Sequence, residues 1–372
     1  MTKKIFIITG EYSGDNHASK VVRELKKVYN NDVVIEAVGE SNLEKEGVKL
    51  LFNHKKMGKV GLTPKTIFDH ILLGKRIIDY LKNDFKPDLV LLVDYGAFNL
   101  QISKELKKLN IKTFYFIPPQ IWASRKYRLK TIKKNIDKVL TIFPFEEEFY
   151  KSYGIDVEYV GHPIVSELPE CNNRDEFFEK YNLDKNKKLI SVFSGSRVFE
   201  IKFLFKIFLN AVKILEKMRN DVQFVFSYAD SLPENAFKTS YKTIKGDNHK
   251  LLAYSDFLIL ASGTVALEAA MYETPMLIAY RGPLFFYLVY LLVRNIKNAC
   301  LVNIITKKDY VKEFLMYDAK SNKIASYVNE VLNNENERNK IIEGCKLTKN
   351  LLNKGHCANT VANIIKRELD KE

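Results

Sequence analysis

Short apolar runs recur along the chain, each followed by a longer stretch with apolar residues at helical spacing. Ile5–Ile8, Val33–Val38, Leu89–Val93, Thr113–Ile117, Lys138–Ile142 and Glu158–Val160 predict six strands. A helix running to Lys27 follows the first, and another over Phe98–Lys108 follows the third. A polar stretch, Glu170 to Lys188, precedes a second series with strands at Leu189–Phe193, Val222–Phe226, Phe257–Leu260 and Met276–Ala279. Phe203–Met218 reads as a helix of that series, and the chain closes in helices over Ile324–Leu332, Arg338–Leu352 and Cys357–Leu369. Strands that alternate with helices predict an α/β fold with parallel, doubly wound sheets. Two such series predict two domains with a ligand-binding cleft between them.

In sheets of this kind ligands sit beyond the carboxyl ends of the strands. The segments that follow the strands therefore hold the candidate chemistry. After Phe257–Leu260 comes Ala261-Ser262-Gly263-Thr264, then a helical stretch containing Glu268. Hydroxyls and free N–H groups at such a turn suit a phosphate. Glu268, about one helical turn beyond Thr264, is placed to accept bonds from the two hydroxyls of a ribose. The plainer alternative is a Ser/Thr cap on an ordinary turn. Ser194-Gly195-Ser196-Arg197 opens the second series in the same way, and Arg197 adds a cation for a departing diphosphate. Gly10-Glu11-Tyr12-Ser13-Gly14-Asp15 joins the first strand to its helix. It suits an anion, or it is a glycine-rich turn and no more; Glu11 and Asp15 repel phosphate and fit sugar hydroxyls better.

Composition narrows the class. The 372 residues carry a formal net charge of +14, which favours anionic partners such as phosphorylated substrates or a membrane surface. Arg125, Lys126, Arg128, Lys130, Lys133, Lys134 and Lys138 concentrate that charge, beside Trp122 and Tyr127. Most of these lysines read as a solvated face, and no nucleic-acid-binding signature accompanies them. Cys171, Cys300, Cys345 and Cys357 are scattered, which argues against a disulfide framework or a cysteine metal site and fits a reducing compartment. The amino-terminal apolar run is too short for a signal peptide, and no run is long enough for a transmembrane helix. Pro283–Val293 is apolar on every helical face; it reads as a buried helix or as one resting on a membrane between Arg281, Arg294 and Lys297.

The order of these motifs resembles the lipid-A-disaccharide synthase family. The matching pieces begin with Gly10 to Asp15, Met57-Gly58, Lys86-Pro87-Asp88, Asp94 with Phe98-Asn99, and Pro119-Gln120-Ile121-Trp122-Ala123 with Arg125. They continue through Pro144-Phe145-Glu146, Val160-Gly161-His162-Pro163, Gly195-Ser196-Arg197 with Glu200, and Ser262-Gly263-Thr264 with Leu267-Glu268. Pro275-Met276, Tyr280-Arg281, and Asn303 with Glu313-Phe314-Leu315 complete the series. The resemblance implies an inverting glycosyltransferase with two Rossmann-like domains, the GT-B architecture. It implies transfer of diacylglucosamine from UDP to diacylglucosamine 1-phosphate, giving a β-1,6 disaccharide 1-phosphate. An acceptor domain over 1–165, a donor domain over 166–345 and a carboxyl-terminal helix over 346–372, returning to the first domain, are expected.

Roles follow residue by residue. UDP is expected on Ser194, Gly195, Ser196, Arg197, Ser262, Gly263, Thr264, Glu268 and Asn303, and the acceptor on Glu11, Ser13, Gly14, Asp15, Trp122 and Arg125. Asp94 ends a fully apolar strand and matches a candidate catalytic base in the family; its other reading is a cap on the next helix. His162 reads as a hinge element that also touches substrate. No Asp-x-Asp pair of the kind that holds a nucleotide's cation is present, so neither metal nor cofactor is expected. The expected location is cytoplasmic, peripherally associated with the inner membrane. Gly61, Ala97, Ser124, Ser194 and Met316 depart from the family pattern, the first three in the acceptor half. Alternatives are another UDP-sugar enzyme, including a UDP-N-acetylglucosamine epimerase, or a non-catalytic lipid- or nucleotide-binding relative. Oligomeric state is not encoded in any motif.

Overall fold

The computed structural model describes residues 2–53, 64–122, 125–283 and 298–371. The chain divides into two compact units, Met1–Ser166 with Leu352–Glu372, and Glu167–Leu351.

The first unit is built on seven strands: β1 (Lys3–Ile8), β2 (Val33–Gly39), β3 (Lys49–Asn53), β4 (Leu89–Val93), β5 (Thr113–Phe116), β6 (Lys138–Thr141) and β7 (Val157–Tyr159). They lie in the order β3-β2-β1-β4-β5-β6-β7, and every pairing is parallel. Successive side chains of a strand point to opposite faces, so a sheet covered on both sides needs a continuous apolar run. β1 and β4 meet this demand. Ile5, Ile7, Leu89, Leu91 and Val93 pack under the helices Tyr12–Val28 and Cys357–Leu369. Phe6, Ile8, Val90 and Leu92 pack on the other face with Ile77, Leu106 and Ile132 from the helices Pro64–Tyr80, Gly96–Lys108 and Leu129–Asn135. The carboxyl-terminal helix Cys357–Leu369 is thus part of this core, through Val361, Ile364, Ile365 and Leu369.

The second unit repeats the plan with β8 (Lys188–Phe193), β9 (Val222–Tyr228), β10 (Lys242–Lys245), β11 (Phe257–Ala261), β12 (Met276–Tyr280) and β13 (Lys312–Leu315). Their order is β10-β9-β8-β11-β12-β13, again all parallel. This is the strand order of a dinucleotide-binding sheet, in which the chain reverses direction of travel beside the first strand. The reversal falls between β1 and β4 in the first unit and between β8 and β11 in the second. The expected two Rossmann-like sheets are therefore present.

Three strands have no counterpart in the apolar pattern: β3, β10 and β13. All three are sheet edges. Only one face of an edge strand is well covered, so β10 and β13 each bury just one of four side chains and β3 buries none fully. The helix after β8 also begins earlier than its apolar period predicts, at Val198. The segment 284–297, and with it most of Pro283–Val293, lies outside the described residues, as do Met57, Gly58, Gly61, Ala123 and Ser124.

Candidate active site

In the first unit Ile8 pairs with Leu92, so the segments that leave β1 and β4 emerge side by side. The amino end of the helix Tyr12–Val28 reaches Asp94 directly: a Cβ on Gly14 would stand 3.5 Å from the Asp94 Cβ. Gly10 has no room for a side chain, because the Tyr95 ring occupies that space. Tyr95 is in turn held by His70, whose Nε2 meets its hydroxyl, and by an aromatic contact with Phe98.

Asp94 and Tyr95 both adopt left-handed backbone, with φ of 50° and 56°. Two successive non-glycine residues in that region are costly, and such strain persists only where surroundings enforce it. Here the enforcement is visible. The Asp94 amide donates to the Phe116 carbonyl at 3.1 Å. The Asp94 carbonyl accepts from Asn99 Nδ2 and from the Tyr115 hydroxyl, each at 2.8 Å. The kink leaves the carboxyl group half-buried at the end of the strand. Burial raises its pKa; the Tyr95 amide and His17 oppose that rise. A carboxylate made more basic in this way is suited to take a proton.

Glu11 and Ser13 are exposed at the same turn, whereas Asp15 is not available to a ligand. Its two carboxylate oxygens accept the backbone amides of Glu40 at 2.6 Å and Asn42 at 2.8 Å, and the residue is fully buried. Asp15 therefore fixes the turn after β2 through both carboxylate oxygens.

At the carboxyl ends of β5 and β6, Trp122 Nε1 donates to Glu146 Oε1 at 3.1 Å. Glu146 is 2% exposed, and its other oxygen has no hydrogen-bond partner among the described residues. Burial pushes its pKa up to about 8, against the hydrogen bonds from Trp122 and the Phe143 and Ile142 amides. Phe145 packs edge-on against Trp122, and Phe143 lies between Phe145 and His162. His162 Nδ1 accepts the Ile164 amide at 3.1 Å, which ties the imidazole to its own loop.

Arg125 is exposed, with left-handed backbone. Arg128 turns the other way: its Nη1 lies 3.5 Å from where a Cβ on Gly96 would be, at the start of the helix Gly96–Lys108. Arg128 is thus carried to the end of the sheet at which Asp94 stands. Nothing in the run of cations distinguished it.

In the second unit Phe193 pairs with Leu260, which sets Ser194–Arg197 beside Ser262–Thr264. Gly195 has φ of 119°, a conformation that only glycine adopts freely. The turn folds Glu200 back, and one of its oxygens accepts the amides of Ser196 at 2.8 Å and Arg197 at 3.3 Å. The two amides just before this helix are thus occupied by the protein's own carboxylate. Ser194 is buried, and its hydroxyl has no partner among the described residues. The Arg197 side chain is 81% exposed, 3.6 Å from Glu200. The loop at Gly263 faces open space, with no atom within 4 Å of an added Cβ.

Glu268 is half-buried, and burial raises its pKa. It faces His249, with Nδ1 3.8 Å from Oε2. Asn303 is elsewhere engaged. Its Nδ2 donates to the Val311 carbonyl and to Glu313, each at 2.8 Å, and its Oδ1 accepts the amides of Tyr310 and Val311 at 3.0 and 2.9 Å. These four bonds make the Asn303 side chain an interior clamp between the helix Leu301–Thr306 and the segment 310–313. Among the described residues no group of three or more His, Cys, Asp or Glu is arranged to hold a metal ion.

Each unit therefore brings a polar, glycine-bearing turn and a titratable carboxyl to the reversal point of its sheet. The family model of lipid-A-disaccharide synthetase matches residues 5–365. This chain belongs to that family. Lipid-A-disaccharide synthase 1 of Legionella pneumophila (strain Lens) is 32% identical, the match covering 99% of this chain and 98% of that one. The synthase of Coxiella burnetii (strain CbuG_Q212) is 33% identical, covering 98% of each. Among solved structures, a UDP co-structure of S. aureus MnaA superposes with a TM-score of 0.69 at 15% identity, covering 99% of this chain and 97% of that one. At that identity the likeness is one of fold.

Proposed function

We propose that this chain transfers 2,3-diacylglucosamine from its UDP-activated form to the 6-hydroxyl of 2,3-diacylglucosamine 1-phosphate. The products are the β-1,6-linked disaccharide 1-phosphate and UDP. The observation that carries this reading is the match to a lipid-A-disaccharide synthetase model over residues 5–365, together with a chemically equipped turn at each sheet's reversal point.

Asp94 is the proposed base. It accepts the proton of the attacking hydroxyl as the oxygen bonds to the anomeric carbon from the face opposite UDP. The carbon–oxygen bond to the diphosphate breaks in the same displacement, and its electron pair leaves on the phosphate. One in-line displacement inverts the anomeric centre. Arg197 balances the charge that develops on the diphosphate, which sits over the open Ser262–Gly263–Thr264 loop. A side-chain cation in that role makes a metal unnecessary. Glu268 takes the ribose hydroxyls, Ser194 to Ser196 shape the adjoining turn, and no separate cofactor takes part. On the acceptor side Glu11, Ser13 and Gly14 line the turn beside Asp94, Trp122 and Arg125 contact the sugar, and Arg128 meets its 1-phosphate. His162 supports Phe143 behind them.

The acylated substrates place the chain at an anionic membrane surface on the cytoplasmic side. The helix Pro64–Tyr80 supports this, since Phe68 and Ile71 are 59% and 52% exposed beside Leu72, with Lys75 and Arg76 following. Apolar side chains flanked by cations suit an interface. No helix among the described residues is long and apolar enough to cross a membrane.

Mass spectrometry of the lipid products tests the reading, with the two acylated substrates and a chelator present. A tetraacyl disaccharide 1-phosphate with UDP is the expected result. UDP binding without that product removes the acceptor assignment, and loss of product on chelation removes the metal-independent mechanism.

A further inference from the structure

Glu268 and His249 meet across two elements that the sequence separates. Glu268 stands on the helix Val265–Met271, which follows β11, and His249 on the helix Asn248–Tyr254, which follows β10. The two residues before His249 are anchored. Asn248 Oδ1 accepts the Ser227 hydroxyl at 2.6 Å, which ties the helix to the carboxyl end of β9. Asp247 is held by Lys180 at 2.5 Å and by the Tyr181 hydroxyl at 2.6 Å. These contacts fix the start of the helix that carries His249, and the imidazole lies 6.5 Å from the Tyr272 ring, centroid to centroid.

The imidazole of this pair is unsatisfied. Nδ1 of His249 is buried and has no hydrogen-bond partner among the described residues. The 3.8 Å to Glu268 Oε2 is too long for a direct bond. Burial lowers the imidazole pKa and raises that of the carboxyl. A hydroxyl about 2.8 Å from each atom satisfies both: its proton goes to the carboxylate, and its oxygen accepts Nδ1–H.

We infer that His249 is the second side chain of the nucleoside subsite, and that it and Glu268 together grip one ribose hydroxyl. This rests on the reading of Glu268 as the ribose contact. Its consequence is specificity: the pair distinguishes a ribonucleotide from its deoxy counterpart, because an absent hydroxyl leaves both groups unpaired.

Calorimetric titration of the full chain with UDP, 2′-deoxy-UDP and 3′-deoxy-UDP tests this. The wild type is expected to bind UDP about tenfold or more tightly than one of the deoxy forms. His249→Ala is expected to lose that preference by weakening UDP alone. His249→Phe, which keeps the ring's bulk, does the same and guards against a folding defect, with thermal melting as the check. If His249→Ala weakens UDP and both deoxy forms equally, the residue only packs, and the inference falls. If it keeps the preference while Glu268→Gln loses it, the inference falls and the ribose reading of Glu268 stands. If Glu268→Gln also keeps the preference, the ribose reading itself is wrong.

Discussion

Glu146 receives the indole N–H of Trp122 on one carboxylate oxygen and buries the other without a partner. An ionised carboxylate so placed has lost most of its water, and that loss outweighs the hydrogen bonds it keeps. Its proton is accordingly held up to about pH 8, against 4.5 in the unfolded chain. Between those values the folded chain carries a proton that the unfolded chain has released. Stability therefore falls as pH rises through this window and levels off above it, by an amount on the order of a few kcal/mol. Glu146→Gln keeps an acceptor for Trp122 and removes the titration. Urea unfolding at pH 5 and pH 8.5 should show the wild type losing stability relative to the variant. Parallel pH dependences of the two would show that Glu146 is not buried as a neutral acid.

Asp94→Asn tests the base. Asparagine tolerates left-handed backbone at least as well as aspartate, and it is uncharged where burial disfavours charge. The melting temperature should hold or rise, while kcat falls by about 10²–10⁴. In the wild type kcat/KM should decline as pH drops through the raised Asp94 pKa, since the base is then protonated. Wild-type turnover in the variant would leave Asp94 as a helix cap and nothing more.

The turns that carry the candidate chemistry were legible where local pattern is enough. A small polar turn after a fully apolar strand points to the sheet's ligand-binding end, and Gly10–Gly14, Asp94, Ser194–Arg197 and Ser262–Thr264 all stand there. What the pattern could not carry was the use of side chains by distant backbone. Asp15 and Asn303 carry side chains suited to ligands, and only the fold shows them bonded to the amides of Glu40, Asn42, Tyr310 and Val311. His249 and Arg128 were missed for the converse reason. Each is one polar residue in a polar stretch, and only the fold turns it toward its neighbour in the site. The edge strands escaped because a half-covered strand has no need of an apolar run.

Asn303→Ala separates clamp from contact. The substitution strands two buried amides and removes a donor from Glu313, at a cost of about 3 kcal/mol. A lowered melting temperature with unchanged UDP affinity is expected from calorimetry on the folded variant. A variant that melts like the wild type but binds UDP weakly would restore Asn303 to the donor site.

The exposed face of Pro64–Tyr80 predicts membrane affinity that is separable from catalysis. Phe68→Ser with Ile71→Ser should reduce cosedimentation with anionic phospholipid vesicles by about tenfold or more. Turnover on substrates dispersed in detergent should be unaffected. Unchanged sedimentation would assign the apolar face to another purpose.

Gly195 and Gly263 make a paired test of the donor turn. A Cβ on Gly195 meets two obstacles: φ of 119°, and Glu200 atoms at 2.5 Å. Gly195→Ala must therefore strain the backbone, expel Glu200 from its bonds to Ser196 and Arg197, or both. The expected cost is about 1–3 kcal/mol in stability. Gly263→Ala meets no atom within 4 Å and no positive φ, so its melting temperature should match the wild type. The new methyl nevertheless projects into the space assigned to the diphosphate, and the KM for the UDP-sugar should rise. Loss of donor affinity without loss of stability is what a phosphate loop predicts at Gly263. Equal KM values for that variant and the wild type would move the diphosphate off Ser262–Gly263–Thr264 and back to the Ser196 turn, where it would have to displace Glu200.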